Sequence, residues 1–206
     1  MPIQGIPHAV DWIEFLKERR ERTADPSDIQ KLTVFIDHLA GEYAHDWDST
    51  MDTMLGAGVS RSWGGGAMLD MLGTPGADGT HELTNHDRRA FYQGMVAAGG
   101  ESSFKFVAMD TQRCFVGEDG LAMDGMLWNL VPGDEVADWG GEIPDGADPS
   151  GIFAVGRRLA LFMAYQDGKI VGEDTYWDAR TETRHITEPV AIPALPQWLV
   201  NERKSQ

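Results

Sequence analysis

The spacing of apolar positions along the chain changes from helical to alternating near its midpoint. Residues 8–22 place Val10, Ile13 and Leu16 at helical spacing and close on the charged run KERRER. This predicts a first helix, packed outside the domain or against a neighbouring subunit. A longer helix opens at Asp25-Pro26-Ser27-Asp28, where Asp25 can cap and Pro26 can take the first helical position. Ile29, Leu32, Ile36, Leu39 and Tyr43 then follow a 3-4-3-4 stripe. A short third helix starts near Asp48, carries Met51, Met54 and Leu55, and stops at Gly56. Residues 59–63 read as a short strand before Gly64-Gly65-Gly66, and 67–80 as a loop around a short apolar segment. Thr84 or Asn85 can cap a fourth helix over 86–98, ended by Gly99-Gly100.

From there alternation takes over. Strands are predicted over 104–116 and 121–131, joined by Glu118-Asp119-Gly120, and a long hairpin over 157–178. Its turn is Gln166-Asp167-Gly168-Lys169; Asp-Gly between apolar runs is a strong hairpin signal. Between them, 132–151 is acidic and rich in Gly and Pro, and reads as a long loop. Trp139 within it suggests a lid or an oligomer contact. The tail after Arg184 carries Pro189, Pro193 and Pro196 and is expected to be an extended strap. Helices followed by long antiparallel strands make an α+β pattern, a curved sheet wrapped around a helix.

Composition narrows the possibilities. A chain of 206 residues suits a single domain with one sizeable core. The net charge of −16 repels phosphate backbones and anionic lipid, which argues against nucleic-acid and membrane partners. No apolar run approaches the roughly 20 residues of a membrane span. The N-terminus lacks a basic stretch followed by an apolar block, so a cytoplasmic location is expected. A single cysteine, Cys114, excludes an internal disulfide and a cysteine-rich metal site. The histidines of His81-Glu82-Leu83-Thr84-Asn85-His86 are five apart and do not share a helix face, so zinc is not expected. The glycine triplet lacks the lysine and spacing of a phosphate loop. Ten methionines and seven tryptophans suit either a loosely filled core or a cavity for a flat apolar ligand.

FIDHLAGEYAHDWDSTMDTML, HDRRAFYQGMVAA and LALFMAYQDGKIVGEDTYWD, in that order, resemble the nuclear-transport-factor-2-like superfamily, particularly SnoaL-like polyketide cyclases. The resemblance covers about 27–178 and leaves outside it the first helix (1–24), the 132–151 insertion and the strap (185–206). It implies a cystatin-like cone, a curved antiparallel sheet around the long helix, with an apolar pocket between them. Relatives include ketosteroid isomerases, scytalone dehydratase, limonene epoxide hydrolases and lyases that remove formaldehyde from lignin-derived diaryl compounds. It also implies a homo-oligomer, a dimer or trimer, to cover the convex sheet face.

Candidate chemistry starts from the second arm of the hairpin, which carries acids on both faces. Asp174 is the expected base, since a carboxylate desolvated by Trp, Tyr and Met acquires a raised pKa. The alternative is an acid near a strand end, paired with Arg or Lys. Tyr176 shares its face and could hydrogen-bond a substrate oxygen. Asp124 shares parity with Ala122, Met126, Trp128 and Leu130, so it needs a partner or a proton and is the expected acid. Arg61, between Val59 and Trp63, could clamp an oxyanion or serve as counter-ion to Asp124 or Asp174. Tyr43 is a second candidate for oxyanion stabilisation or a core residue. Trp63, Trp128, Met126 and Phe106 are expected to shape the pocket, with His38 at its rim. Cys114, with Arg113 as its one basic neighbour in sequence, reads as a buried, inert thiol.

The resulting expectation is a cofactor-independent acid-base lyase, without metal, for a small hydrophobic aromatic or polycyclic molecule. It would act by elimination of water or formaldehyde in an enclosed pocket. An isomerase, cyclase or epoxide hydrolase of the same fold is one alternative, and a non-catalytic binding or interaction module another.

Overall fold

The computed structural model describes residues 10–63, 80–99 and 107–186. The expectations for Phe106, the 67–80 loop and most of the strap fall outside them. Seven strands form one sheet in the order β1-β4-β5-β6-β7-β2-β3. They are β1 (Val10–Asp11), β2 (Ala57–Trp63), β3 (Thr80–Thr84), β4 (Val107–Gly117), β5 (Gly120–Pro132), β6 (Ile152–Gln166) and β7 (Lys169–Ile186). All neighbours run antiparallel except β2 and β7. Among the described residues four α-helices accompany them: α1 (Trp12–Glu21), α2 (Pro26–Tyr43), α3 (Trp47–Asp52) and α4 (Asn85–Gly99). This is the α+β arrangement, a curved sheet with a long helix on one face, that the sequence predicts.

The local signals hold. Asp25 Oδ1 accepts from the amides of Ser27 and Asp28, satisfying two donors that α2 leaves without helical partners. At α4, Asp87 Oδ2 reaches back to the amide and hydroxyl of Thr84. The β6–β7 turn takes left-handed φ at Asp167 (52°) and Gly168 (74°), as a tight two-residue hairpin with right-handed strand twist requires.

The core lies where the sheet meets α1 and α2. Leu16, Leu32, Phe35, Ile36 and Leu39 pack with Met109, Leu121, Met123, Leu127, Leu159, Leu161 and Met163. Each such side chain contributes roughly 1.5–3 kcal/mol when fully buried. Trp12 meets Phe35 edge to face at 5.5 Å. With Trp12 and Leu16 buried, α1 belongs to the core rather than to the outside of the domain.

The 132–151 insertion is a loop with one short helical turn. Its short 3-10 turn (Gly133–Glu135) places Val136 and Trp139 on Val131, Phe153 and Val155, in a satellite apolar cluster. Thr181 Oγ1 donates to the Gly140 carbonyl at 2.6 Å, and the Glu142 amide donates to Thr183 Oγ1 at 3.2 Å. What Trp139 folds over is the end of its own sheet.

Candidate functional site

Strand pairing decides which acid of the hairpin faces inward. Opposed residues in adjacent strands share a face. Met163 and Leu161, both core, stand opposite Glu173 and Thr175, while exposed Phe162 stands opposite Asp174. Glu173, Thr175 and Trp177 therefore look toward the helices, and Asp174, Tyr176 and Asp178 look away. Glu173 lies deep in the protein, under the helices, yet keeps some accessible surface. Burial pushes its carboxyl up to about 7, with Glu42 and Asp174 adding repulsion and His38 and Arg88 opposing it.

Three helices complete the cluster. On α2, His38 and Glu42 are one turn apart, with Nε2 and Oε1 separated by 3.1 Å. Thr53 Oγ1 gives its one hydrogen to the Thr50 carbonyl at 2.6 Å, so it accepts from His38 Nδ1 at 2.8 Å. Nδ1 is thus protonated. A bare Nε2 would repel the Glu42 carboxylate, so the pair holds a further proton. The carboxylate sits off the ring's N–H axis, however, and Nε2 has no well-aligned partner among the described residues. Burial lowers the His38 pKa, but Glu42 and Glu173 more than offset this and the net direction is upward.

Tyr92 enters from α4. It stacks on Trp47 at 5.4 Å and meets His38 edge-on at 6.5 Å. Burial, followed by Glu42 and Glu173, holds its phenol well above the ordinary value, so it stays a proton carrier. Arg88, 3% exposed, donates to the carbonyls of Leu55 and Val171, each at 2.8 Å, and to Asn85 Oδ1 at 3.0 Å. It ties α4 to β7 beside Glu173. Trp177 Nε1, on the same strand face as Glu173, is buried with no hydrogen-bond partner among the described residues. The arrangement combines a carboxyl that titrates near neutrality, a histidine–glutamate pair holding a proton, and a neutral phenol.

The residues singled out from sequence land mostly elsewhere. Asp174 is on the convex face, beside a groove that includes Phe115 and Phe162. Tyr176 is 42% exposed and meets Phe162 edge to face at 5.8 Å. Asp124 is also convex: Arg113 grips it with bonds of 3.0 and 2.6 Å, which lowers its pKa, the reverse of the expected proton donor. Its partner is therefore Arg113, not Arg61. Met126 and Trp128 share the Asp124 face of β5; Trp128 is buried under the Arg184 guanidinium, away from Glu173. Arg61 and Trp63 have register positions beside Asp174 and Tyr176, and their side chains lie outside the described set. Tyr43 packs half-buried against the core. Among the candidates whose side chains are described, His38 alone is part of the inner cluster.

Glu173, Glu42 and Tyr92 were missed. The available signal was the i,i+4 pair His38–Glu42 next to the apolar stripe of α2. For β7, both faces carry acid and aromatic residues, so alternation could not choose between Glu173 and Asp174.

No protein-family model matches the chain, and no curated protein sequence does. Similar solved structures exist. A ketosteroid isomerase from Mycobacterium sp. aligns at TM-score 0.48 and 14% identity, over 75% of this chain and 98% of its own. A SnoaL-like polyketide cyclase from Jannaschia sp. CCS1 gives 0.47 and 14%, over 76% and 90%. A nuclear-transport-factor-2-like protein of unknown function from Burkholderia pseudomallei gives 0.47 and 8%, over 73% and 92%.

Proposed function

We propose that the chain is a cofactor-independent acid-base enzyme for a small hydrophobic molecule, with Glu173 as base. The observation that carries this reading is an enclosed carboxyl pushed up to about 7 beside a proton-holding His38–Glu42 pair and a neutral Tyr92. A general base is most effective when its pKa lies near the operating pH. Here base and proton donor come from different elements and lie in one cluster, the arrangement that elimination needs. Glu173 takes a proton from carbon, and His38 or Tyr92 gives one to the departing hydroxyl, releasing water and leaving a double bond. Loss of formaldehyde would use the same groups: the base removes a hydroxyl proton as the carbon–carbon bond breaks, and His38 or Tyr92 protonates the carbon that keeps the electron pair. Trp47, Trp177 and the core methionines supply apolar, polarisable walls suited to an aromatic or polycyclic substrate.

Isomerisation or cyclisation uses the same base, with the proton returned to another atom, and is the second reading. Epoxide opening would need a water held by the carboxylates. A homo-oligomer that covers the convex face is part of the proposal, and exposed Phe115, Phe162 and Tyr176 support it.

The test is a panel of hydroxylated aromatic and steroid-like compounds incubated with the parent and with Glu173→Gln, followed by NMR for water or formaldehyde loss. Turnover that disappears in the variant supports the reading. In the parent, carbon-detected NMR of Glu173 should give a titration near 7; a midpoint near 4.5 would remove the base.

A further inference from the structure

A polar recess lies on α1 and β4, away from the Glu173 cluster. The register of β4 slips between Thr111 and Arg113. One extra residue in a strand reverses the alternation beyond it. Before the slip Met109 and Thr111 face the helices; after it Cys114 and Val116 do, and Arg113 and Phe115 turn outward. Gly125 stands opposite this point, and a Cβ there would meet the Asp110 carbonyl oxygen at 2.2 Å. The irregularity therefore depends on glycine in the neighbouring strand. It leaves a cleft of about 330 Å³ lined by Phe15, Arg19, Arg22, Thr111, Arg113 and Cys114 around the slipped residue.

The charge in this cleft runs against the rest of the protein. The chain carries 33 acids against 17 Lys and Arg, yet three arginines line this cleft, Arg113 from its outer side, and no carboxylate is among the lining residues. Asp124 holds Arg113 from the convex side, and Glu18 stands 3.8 Å from Arg22 in an exposed pair. Arg19 has no carboxylate partner among the described residues and lies beside Cys114, whose thiol its charge favours in the ionised form. Thr111 Oγ1 is buried without a hydrogen-bond partner among the described residues. A cation that lacks a counter-ion and a hydroxyl that lacks a partner have one ligand class in common, an oxyanion. Phe15 adds one apolar wall.

We infer that this cleft binds a small oxyanion, a carboxylate or phosphate, through Arg19, Thr111 and Arg22. Cys114 is the chain's one cysteine and so reports on the site directly. The full-length protein is titrated calorimetrically with inorganic phosphate, citrate and benzoate, against chloride at matched ionic strength. Phosphate alone binding points to a phosphorylated ligand; citrate or benzoate binding better points to a carboxylate. Arg19→Gln should weaken binding about tenfold or more, the loss of a charge-assisted hydrogen bond. Rim variant Arg22→Gln should weaken it less, and Arg180→Gln, at an exposed ion pair on β7, should leave it unchanged. In parallel, iodoacetate should alkylate Cys114 faster than iodoacetamide does, relative to a free thiol, and phosphate should slow both. Absence of binding beyond chloride, an equal loss in Arg180→Gln, or no preference for the anionic reagent would each overturn the assignment.

Discussion

The two faces of β7 carry nearly the same chemistry and meet opposite fates. Glu173 and Asp174 are adjacent carboxylic acids, each followed two positions on by a residue that is polar or aromatic. One is packed among His38, Glu42 and Tyr92 and titrates near neutrality; the other lies on the convex face opposite exposed Phe162. Their environments differ because one peptide step in a strand turns the side chain through the thickness of the sheet. Acid content alone therefore says nothing about proton chemistry; the side of the sheet does.

The largest expected effect separates the two acids kinetically. Glu173→Gln should lower kcat by roughly 10²–10⁴, the usual worth of a general base, while Asp174→Asn should leave it within about twofold. Steady-state rates on any substrate found in the panel check this. Equal losses would erase the distinction between the faces.

Next comes a contrast in stability. An acid whose pKa rises on folding binds its proton more tightly when folded. Its contribution is complete below the unfolded value of 4.5 and is lost as pH rises through about 7. His38, also shifted upward, acts in the same direction, fully present below 6.5 and lost above its folded value. Glu173→Gln should therefore match the parent near pH 4 and exceed it by about 3 kcal/mol at pH 8. Urea unfolding at both pH values measures the crossover.

A smaller change probes the positioning of His38. Thr53→Val removes the acceptor at Nδ1 and should cost about 1–3 kcal/mol while lowering the His38 pKa. Proton NMR of the ring against pH reads that shift. The convex pair should matter least: Arg113→Ala with Asp124→Ala in a double-mutant cycle should yield a coupling of about 0–1 kcal/mol, as for exposed ion pairs.

Much of the fold was legible because it depends on local rules. The Asp25-Pro26 cap, the 3-4-3-4 stripe of α2, the Asp167-Gly168 turn and the long strands are each encoded within a few residues. The site was not legible in the same way. On β5 the parity of Ala122, Asp124 and Met126 is apolar enough to pass for a core face, but so is that of Leu121, Met123 and Leu127. Only packing against α1 and α2 chose the second. The insertion read as a long loop, a lid or an oligomer contact, because its sequence lacks strand formers, and nothing local said that Val136 and Trp139 would settle on Val131 and Phe153.

By itself the sequence determined the elements, their order and the presence of acids on a long hairpin, since caps, periods and turns act over one or two turns of chain. The tertiary structure alone decided which of those acids loses its water. That choice depends on strand register and on helices contributed by residues more than seventy positions away, whose combined burial no short window of sequence contains.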